Sequence, residues 1–578
     1  MMHNRIYHLC RALLLATLAS AMVLPALAQE MPAMPGMPGM EHHHHDDAPN
    51  PSGFEKLGKV HFPVSCAASQ QTPFERGIAL LHSFGYTEAE MQFKQIAAAD
   101  PTCAMAHWGI AMSQFHELWG RPDNAALKTG ADEMAKAKLI IALPTHVTPR
   151  ELAYIVALEN FYTQAPTDFQ KAADSYAASM AAVHATYPDD IEAAAFYALA
   201  ILASEAPDDT SLNKERAALA VLLPLFHDHP DHPGLAHYII HTCDTPALAP
   251  QGKEAAEVYA RIAPSSAHAT HMPGHIFARL GMWQQDIDSN LASVAASNKA
   301  EAAHEPGVAH QMHADEFLIY AYLQVGEDEK ARALTASMAS TGKRIDSMPG
   351  MDDMKGSGPY FTNELNAIYA MEMHQWKVAE KLQPEADNGG SHRGSAALLT
   401  WWANGVGAGH LHNAKAARKA LENIDAYITS LKGTKNEYQA IGLAVLRDEV
   451  AGWLGYAENK PELAVASMRK AADQQDKLGQ GEVDIPAREM LGDLLMLEHK
   501  PKEALAEYKV ALTLSPNRLN GLLSAGAASE ALGDRATAAA YYAQAAANTH
   551  HAAESNRPEL RHAIAVLTNT PASGSQAE

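Results

Sequence analysis

Basic residues are in short supply. The chain holds 44 Lys and Arg against 67 Asp and Glu, a net charge of −23. A protein that neutralises phosphates needs a basic face, so nucleic acid is set aside as a partner. Aromatic residues make up only 7%, while alanine runs throughout. That balance suits close-packed helices and disfavours a β-sandwich, which draws on β-branched and aromatic residues. After residue 28 no apolar run approaches the roughly 20 residues that a membrane-spanning helix needs. Four cysteines in 578 residues exclude a disulfide scaffold. There is no G-x-S-x-G elbow, no P-loop and no G-x-G-x-x-G after a strand. The glycine-rich stretch GVGAGH (405–410) reads as a connection between helices. What the sequence does have is histidine: 31 residues, against 13 Phe and 7 Trp.

The first 28 residues read as a signal peptide. Arg5 and Arg11 give a positive start, Ala12 to Leu24 are apolar, and Pro25-Ala26-Leu27-Ala28 ends in the A-x-A pattern of a cleavage site before Gln29. No cysteine follows the apolar stretch to take a lipid, since Cys10 lies ahead of it. The expectation is an exported protein, periplasmic or secreted. Three cysteines then remain: Cys66, Cys103 and Cys243. In an oxidising compartment Cys66 and Cys103, which flank the first helical hairpin, are the favoured pair, leaving Cys243 free. Three unpaired buried thiols are the alternative.

Residues 29–56 form a Met/His-rich segment too poor in apolar surface to order itself. Met31, Met34, Met37 and Met40 recur every third residue, and His42 to His45 follow with Asp46 and Asp47. Thioether sulfur selects Cu(I), and imidazole suits Cu(II), Zn or Ni. Both on one segment point to copper capture; a linker of biased composition is the plain alternative.

From residue 57 the chain reads as an all-α tetratricopeptide-like solenoid of helical hairpins. LGDLLMLEHKPKEALAEY (491–508) and AGAASEALGDRATAAAYY (525–542) repeat at an offset of 34, the tetratricopeptide period. The offset pairs Gly492 with Gly526, Ala504 with Ala538 and Tyr508 with Tyr542. The turn-plus-helix element recurs at GEDEKARAL (326–334), HQWKVAEKL (374–382), HNAKAARKAL (412–421) and NKPELAVASM (459–468). Stacked repeats bury their apolar faces on one another and present a concave groove. A division at the Gly-rich stretch 384–394 gives a degenerate repeat domain over 57–383 and a C-terminal array over 384–566. Residues 567–578 read as a disordered tail.

Four blocks carry a resemblance: FERGIALLHSF (74–84), DPTCAMAHWGIAMSQFHELWG (100–120), HPGLAHYIIHTCDTPALAP (232–250) and HMPGHIFARLGMW (271–283). They are similar to a family of exported bacterial tetratricopeptide-repeat proteins, over about residues 57–335. The resemblance implies fold and export and brings no settled activity with it.

Eleven histidines crowd between 227 and 313. In HYIIH, His237 and His241 stand four apart and share one helix face. His232 precedes Pro233, a favoured first helical residue, and marks that helix's start. In HATHMPGH, Pro273 disfavours a helical Met272, which predicts a loop for His268 and His271. His275 opens the next helix. Neighbouring in a hairpin array, His232, His237, His241, His268, His271 and His275 make a nitrogen-rich metal site, with Asp244 orienting a ligand. Copper comes first, then zinc or iron. There is no HEXXH, and Glu301-Ala302-Ala303-His304 lacks the second copy that a di-iron site wants. Paired histidine helices also fit a dinuclear copper site. His304, His310 and His313 read as packing in preference to a wall of the site, and so do His82, His107 and His116 with Trp108 and Trp119. Three functions follow. The first is metal binding, with possible presentation to a protein partner held in the groove. The second is a metal-dependent enzyme, oxidoreductase or hydrolase, of unknown catalytic residues. The third is an interaction scaffold without metal.

Overall fold

The structure, a computed structural model, describes residues 55–569 except 117, 119–120, 144–146, 207, 303–309, 349–355, 387–395, 435 and 553–554. The signal peptide, the methionines and histidines of the Met/His-rich segment, and most of the C-terminal tail lie outside the described residues. Residues 55–569 belong to one compact unit.

Every described element is a helix, and consecutive helices pair antiparallel from Gln71–His82 with Tyr86–Ala99 through to Arg535–Asn548 and the closing Pro558–Asn569. The 34-residue match has a physical origin. A Cβ on Gly492 would stand 2.4 Å from the Tyr508 ring, and one on Gly526 2.3 Å from the Tyr542 ring. In both hairpins a tyrosine of the second helix lies on bare backbone of the first. The recurring turns share one feature too. Gly326, His374, His412, Asn459, His499 and Gly533 all have positive φ. Each ends a helix in the left-handed conformation, which Gly adopts freely and which Asn and His enter more readily than most residues.

GVGAGH is not a connection. It lies inside the helix Leu398–His410. Cβ atoms on Gly405, Gly407 and Gly409 would meet Val450, the backbone at Glu380 and Trp453 at 2.5–2.7 Å. The glycines admit three neighbours to the helix surface, which a reading of glycine as a breaker misses.

The hydrophobic core runs as one cluster from Leu57 to Phe277 and another from Ala278 to Ala528. The second spans both sides of residue 384. At the front, Cys66 and Cys103 form a disulfide with Cα atoms 4.7 Å apart, and Cys243 is free and buried. The array also returns on itself. Trp283 Nε1 donates to the Asn517 carbonyl at 2.9 Å, and Arg557 pairs with Asp328 at 2.7 Å. Buried Arg518 spans Glu372 and Glu489 at 2.7 and 2.9 Å. The C-terminal repeats therefore lie against the helices that follow residue 280, and the loop before Ala487 reaches the histidines.

Candidate metal centre

His237 and His241 project from one face of Pro233–Thr242, as the spacing predicts. His268 and His271 are not on a loop. They lie on a short helix, Ala267–His271, capped by Ser266. Met272 stays helical (φ −52°, ψ −34°), and Pro273 starts the helix Pro273–Arg279 that carries His275. The strain of a helical residue before proline is met by the hydrogen bond from Met272 N to His268 O at 2.9 Å and by complete burial of Met272. The missing proline N–H falls where no helical partner exists.

These helices assemble two groups of three. His237, His241 and His268 form one; His271, His275 and His313 form the other. Within each group the candidate ligand atoms lie within 4.8 Å of one another. His237 Nε2 faces His268 Nε2 at 3.0 Å, and His271 Nε2 faces His275 Nε2 at 2.9 Å. The groups adjoin: ring centroids of His268 and His271 are 6.2 Å apart, and those of His241 and His275 are 6.4 Å apart. His313 comes from the next hairpin, on Gln311–Gln324, and is a ligand candidate instead of packing.

The outer nitrogens decide how these rings present themselves. His237 Nδ1 donates to the His82 carbonyl at 2.6 Å, and His271 Nδ1 to Asn290 Oδ1 at 2.6 Å. His275 Nδ1 donates to Asp244 at 2.8 Å, and His313 Nδ1 to Glu316 at 2.7 Å. An oxygen on Nδ1 fixes the tautomer and turns the Nε2 lone pair inward, the arrangement that metal-bound histidines share. Two such lone pairs 2.9 Å apart repel unless a cation or a proton lies between them. Two ligands on one tetrahedral ion at about 2.0–2.1 Å would stand about 3.3 Å apart, close to these separations.

Burial keeps most of the rings neutral. It carries His237 down to about 3 and holds His241, His268 and His271 well below the usual imidazole range, with neighbouring histidines adding to the effect. At His275 burial also opposes charge, but the carboxylates of Asp244 and Glu482 outweigh it and carry the ring to about 10. His241 Nε2 and Asp286 Oδ2 are among the buried atoms here without a hydrogen-bond partner. Burial pushes the Asp286 carboxyl well above its ordinary range. Asp286 accepts from Asn290 Nδ2 at 2.7 Å, and Asn290 in turn holds His271. Burial, with Asp244 beside it, pushes the Cys243 thiol up to about 12.

His232 stands apart from both groups. It caps its helix, Nδ1 accepting from Leu235 N at 3.2 Å, and Nε2 donates to Glu192 at 3.1 Å. Glu192 also holds His82 Nε2 at 2.6 Å. His107 pairs with Glu133 at 2.6 Å, and His116 ends its helix at φ 50° with its ring on Tyr86. Glu301 pairs with Arg344; His304 and Trp119 lie outside the described residues. Asp244 orients His275, as its sequence position suggests, while Asp286, Asn290, Arg279 and Glu482 were not foreseen. Asp286 and Asn290 are four apart on Trp283–Ala302, a spacing that marks a shared face. Glu482 comes from more than 200 residues away, bonding His275 Nδ1 at 3.3 Å, and no local pattern announces it.

No family model matches the chain, and no curated protein matches it as a relative. Among solved structures, a human IFIT1 dimer with PPP-AAAA is 11% identical with a TM-score of 0.35. That match covers 76% of this chain and 90% of that one. A human IFIT1 dimer with m7Gppp-AAAA is 12% identical with a TM-score of 0.36, over 76% and 89%.

Proposed function

We propose that the chain is an exported tetratricopeptide-like protein that binds a transition metal, copper before zinc or iron, through His237, His241, His268, His271, His275 and His313. One observation carries this reading: oxygen acceptors fix His271 and His275 with their Nε2 atoms turned on each other at 2.9 Å. A proton on His275 is the competing occupant, since Asp244 and Glu482 favour positive charge there. A metal ion draws on the same two carboxylates and satisfies His241 Nε2 as well. All-imidazole ligation suits copper, which also heads the divalent affinity order. The Met/His-rich segment adds soft and borderline ligands to the same chain and supports copper supply to the site. The disulfide supports export, because such bonds persist in oxidising compartments. Delivery to a partner protein belongs to this reading.

The test is metal analysis of tag-free protein, followed by copper titration against a competing chelator. Copper or zinc retained, and lost in His237→Ala and His271→Ala with helix content unchanged, supports the reading. Neither retention nor binding overturns it. One feature favours an enzyme as the second reading: a cavity of about 230 Å³ reaches His268 and His310.

A further inference from the structure

We infer that the two histidine groups form one coupled dinuclear copper centre, three imidazoles to each ion, with an exchangeable bridging position that takes dioxygen when the pair is reduced. The inference rests on the metal-binding reading above and goes beyond it in number, coupling and ligand.

Symmetry of composition comes first. Each group has three histidines, and the second also has the carboxylates of Asp244 and Glu482 on the outer nitrogen of His275. In each, at least one pair of Nε2 atoms faces inward at about the separation that one ion requires. Three protein ligands leave a coordination position open, as in catalytic metal sites. Adjacency comes second. His268 and His271 sit three apart on a single short helix, so one rigid turn supplies a ligand to each group. Facing rings of the two groups stand 6.2 and 6.4 Å apart, so the groups are neighbours, and in the inferred centre their ions stand at the spacing of two-metal sites, about 3.5–4 Å, where one small ligand bridges both. Charge comes third. Six imidazoles bring no negative charge of their own, and the surrounding carboxylates supply it. Asp244 and Glu482 stand behind His275, Glu316 behind His313, and the unpartnered Asp286 oxygen behind Asn290. Of the Asp286 carboxylate only Oδ2 lacks a partner, and nearby dications would favour the charged carboxylate that burial alone opposes.

Access comes last. The cavity of about 230 Å³ is lined by Leu80, Met91, Ala267, His268 and His310 among others. It admits a diatomic molecule with room to spare and touches the first group alone. On the reduced pair each copper(I) gives one electron, and both electrons go to the O–O unit that bridges the resulting copper(II) ions. No proton moves in that step.

The experiment uses the full chain with His42, His43, His44 and His45 each replaced by glutamine, so that copper on the N-terminal segment adds no signal. Copper(II) is added to saturation, bound copper is counted by mass spectrometry, and unpaired spins are integrated by electron paramagnetic resonance. The expected result is two coppers per chain with a spin count near zero, because bridged copper(II) ions couple antiferromagnetically. In His241→Ala the count drops to one copper, and a full one-spin signal appears. His313→Ala, in the other group and partly exposed, gives the same outcome and serves where His241→Ala fails to fold. Reduction followed by air restores the silent state with a new near-ultraviolet charge-transfer band. Two coppers with two spins, or a single copper, overturns the coupled pair and leaves metal binding standing. No copper at all overturns both.

Discussion

Two sets of buried histidines lie side by side in this fold, and they differ in what faces their second nitrogen. Around His82, Glu192 and His232 every ring nitrogen meets a complementary partner. His82 bonds Tyr238 and Glu192; His232 bonds the Leu235 amide and Glu192. The group is complete without an ion. In the two triads, four rings spend Nδ1 on an oxygen acceptor and turn Nε2 toward other rings. Where both facing rings do so, at His271 and His275, the pair is complete only with a cation or a proton between them. The number of histidines does not separate a structural cluster from a ligand cluster; the polarity of the facing atoms does.

Glu192→Ala breaks the first set outright. It leaves two buried imidazoles without their acceptor and should cost about 3–5 kcal/mol in urea unfolding, while the number of coppers bound stays the same. Loss of copper with little loss of stability would erase the distinction between the sets. Gly492→Ala tests the frame that holds both. A methyl group driven into the Tyr508 ring should cost about 1–3 kcal/mol with no change in copper bound.

His410 gives a third kind of histidine, half-buried and neutral without metal. Its ring lies 3.7 Å from both Trp376 and Trp453, and burial carries it to about 3. A folded value below the unfolded one means that the unfolded chain takes up a proton first. Stability from this group is therefore whole above pH 6.5 and falls between 6.5 and about 3. The loss should reach about 1.4 kcal/mol per pH unit. Unfolding of wild type and His410→Phe at pH 7.5 and pH 5 isolates it: the variant should lose less stability on acidification. The smallest effect has the opposite sign. His499 is exposed at φ 57°, so His499→Gly should stabilise by about 0.5–1 kcal/mol and leave copper binding untouched.

Those turn histidines also explain what sequence could and could not tell. The 34-residue offset was readable because the same Gly–Tyr contact is built twice, at Gly492 with Tyr508 and Gly526 with Tyr542. His237 and His241 were readable because a helix face has a fixed period. His268, His271 and His275 were singled out as candidate ligands, and the structure brings them into the two triads even though the loop expected for His268 and His271 is a helix, since clustering in sequence survived the wrong local conformation. His232 carried the same marks; the structure sets it apart from the two triads, in a third group with His82 and the distant Glu192, forty residues upstream, that could also hold an ion. His313 and Glu482 had no local signal, because their place depends on how the hairpins stack and how the array returns on itself. The glycines of 405–410 were read as a connection between helices, although each is a contact surface for a neighbouring helix.

Anomalous diffraction at the copper edge, from crystals of the full chain grown with copper, tests the central claim most directly. The account predicts two peaks, one within bonding distance of Nε2 atoms of His237, His241 and His268, the other within bonding distance of those of His271, His275 and His313. Copper found elsewhere on the chain, with neither triad bearing a peak, would contradict it.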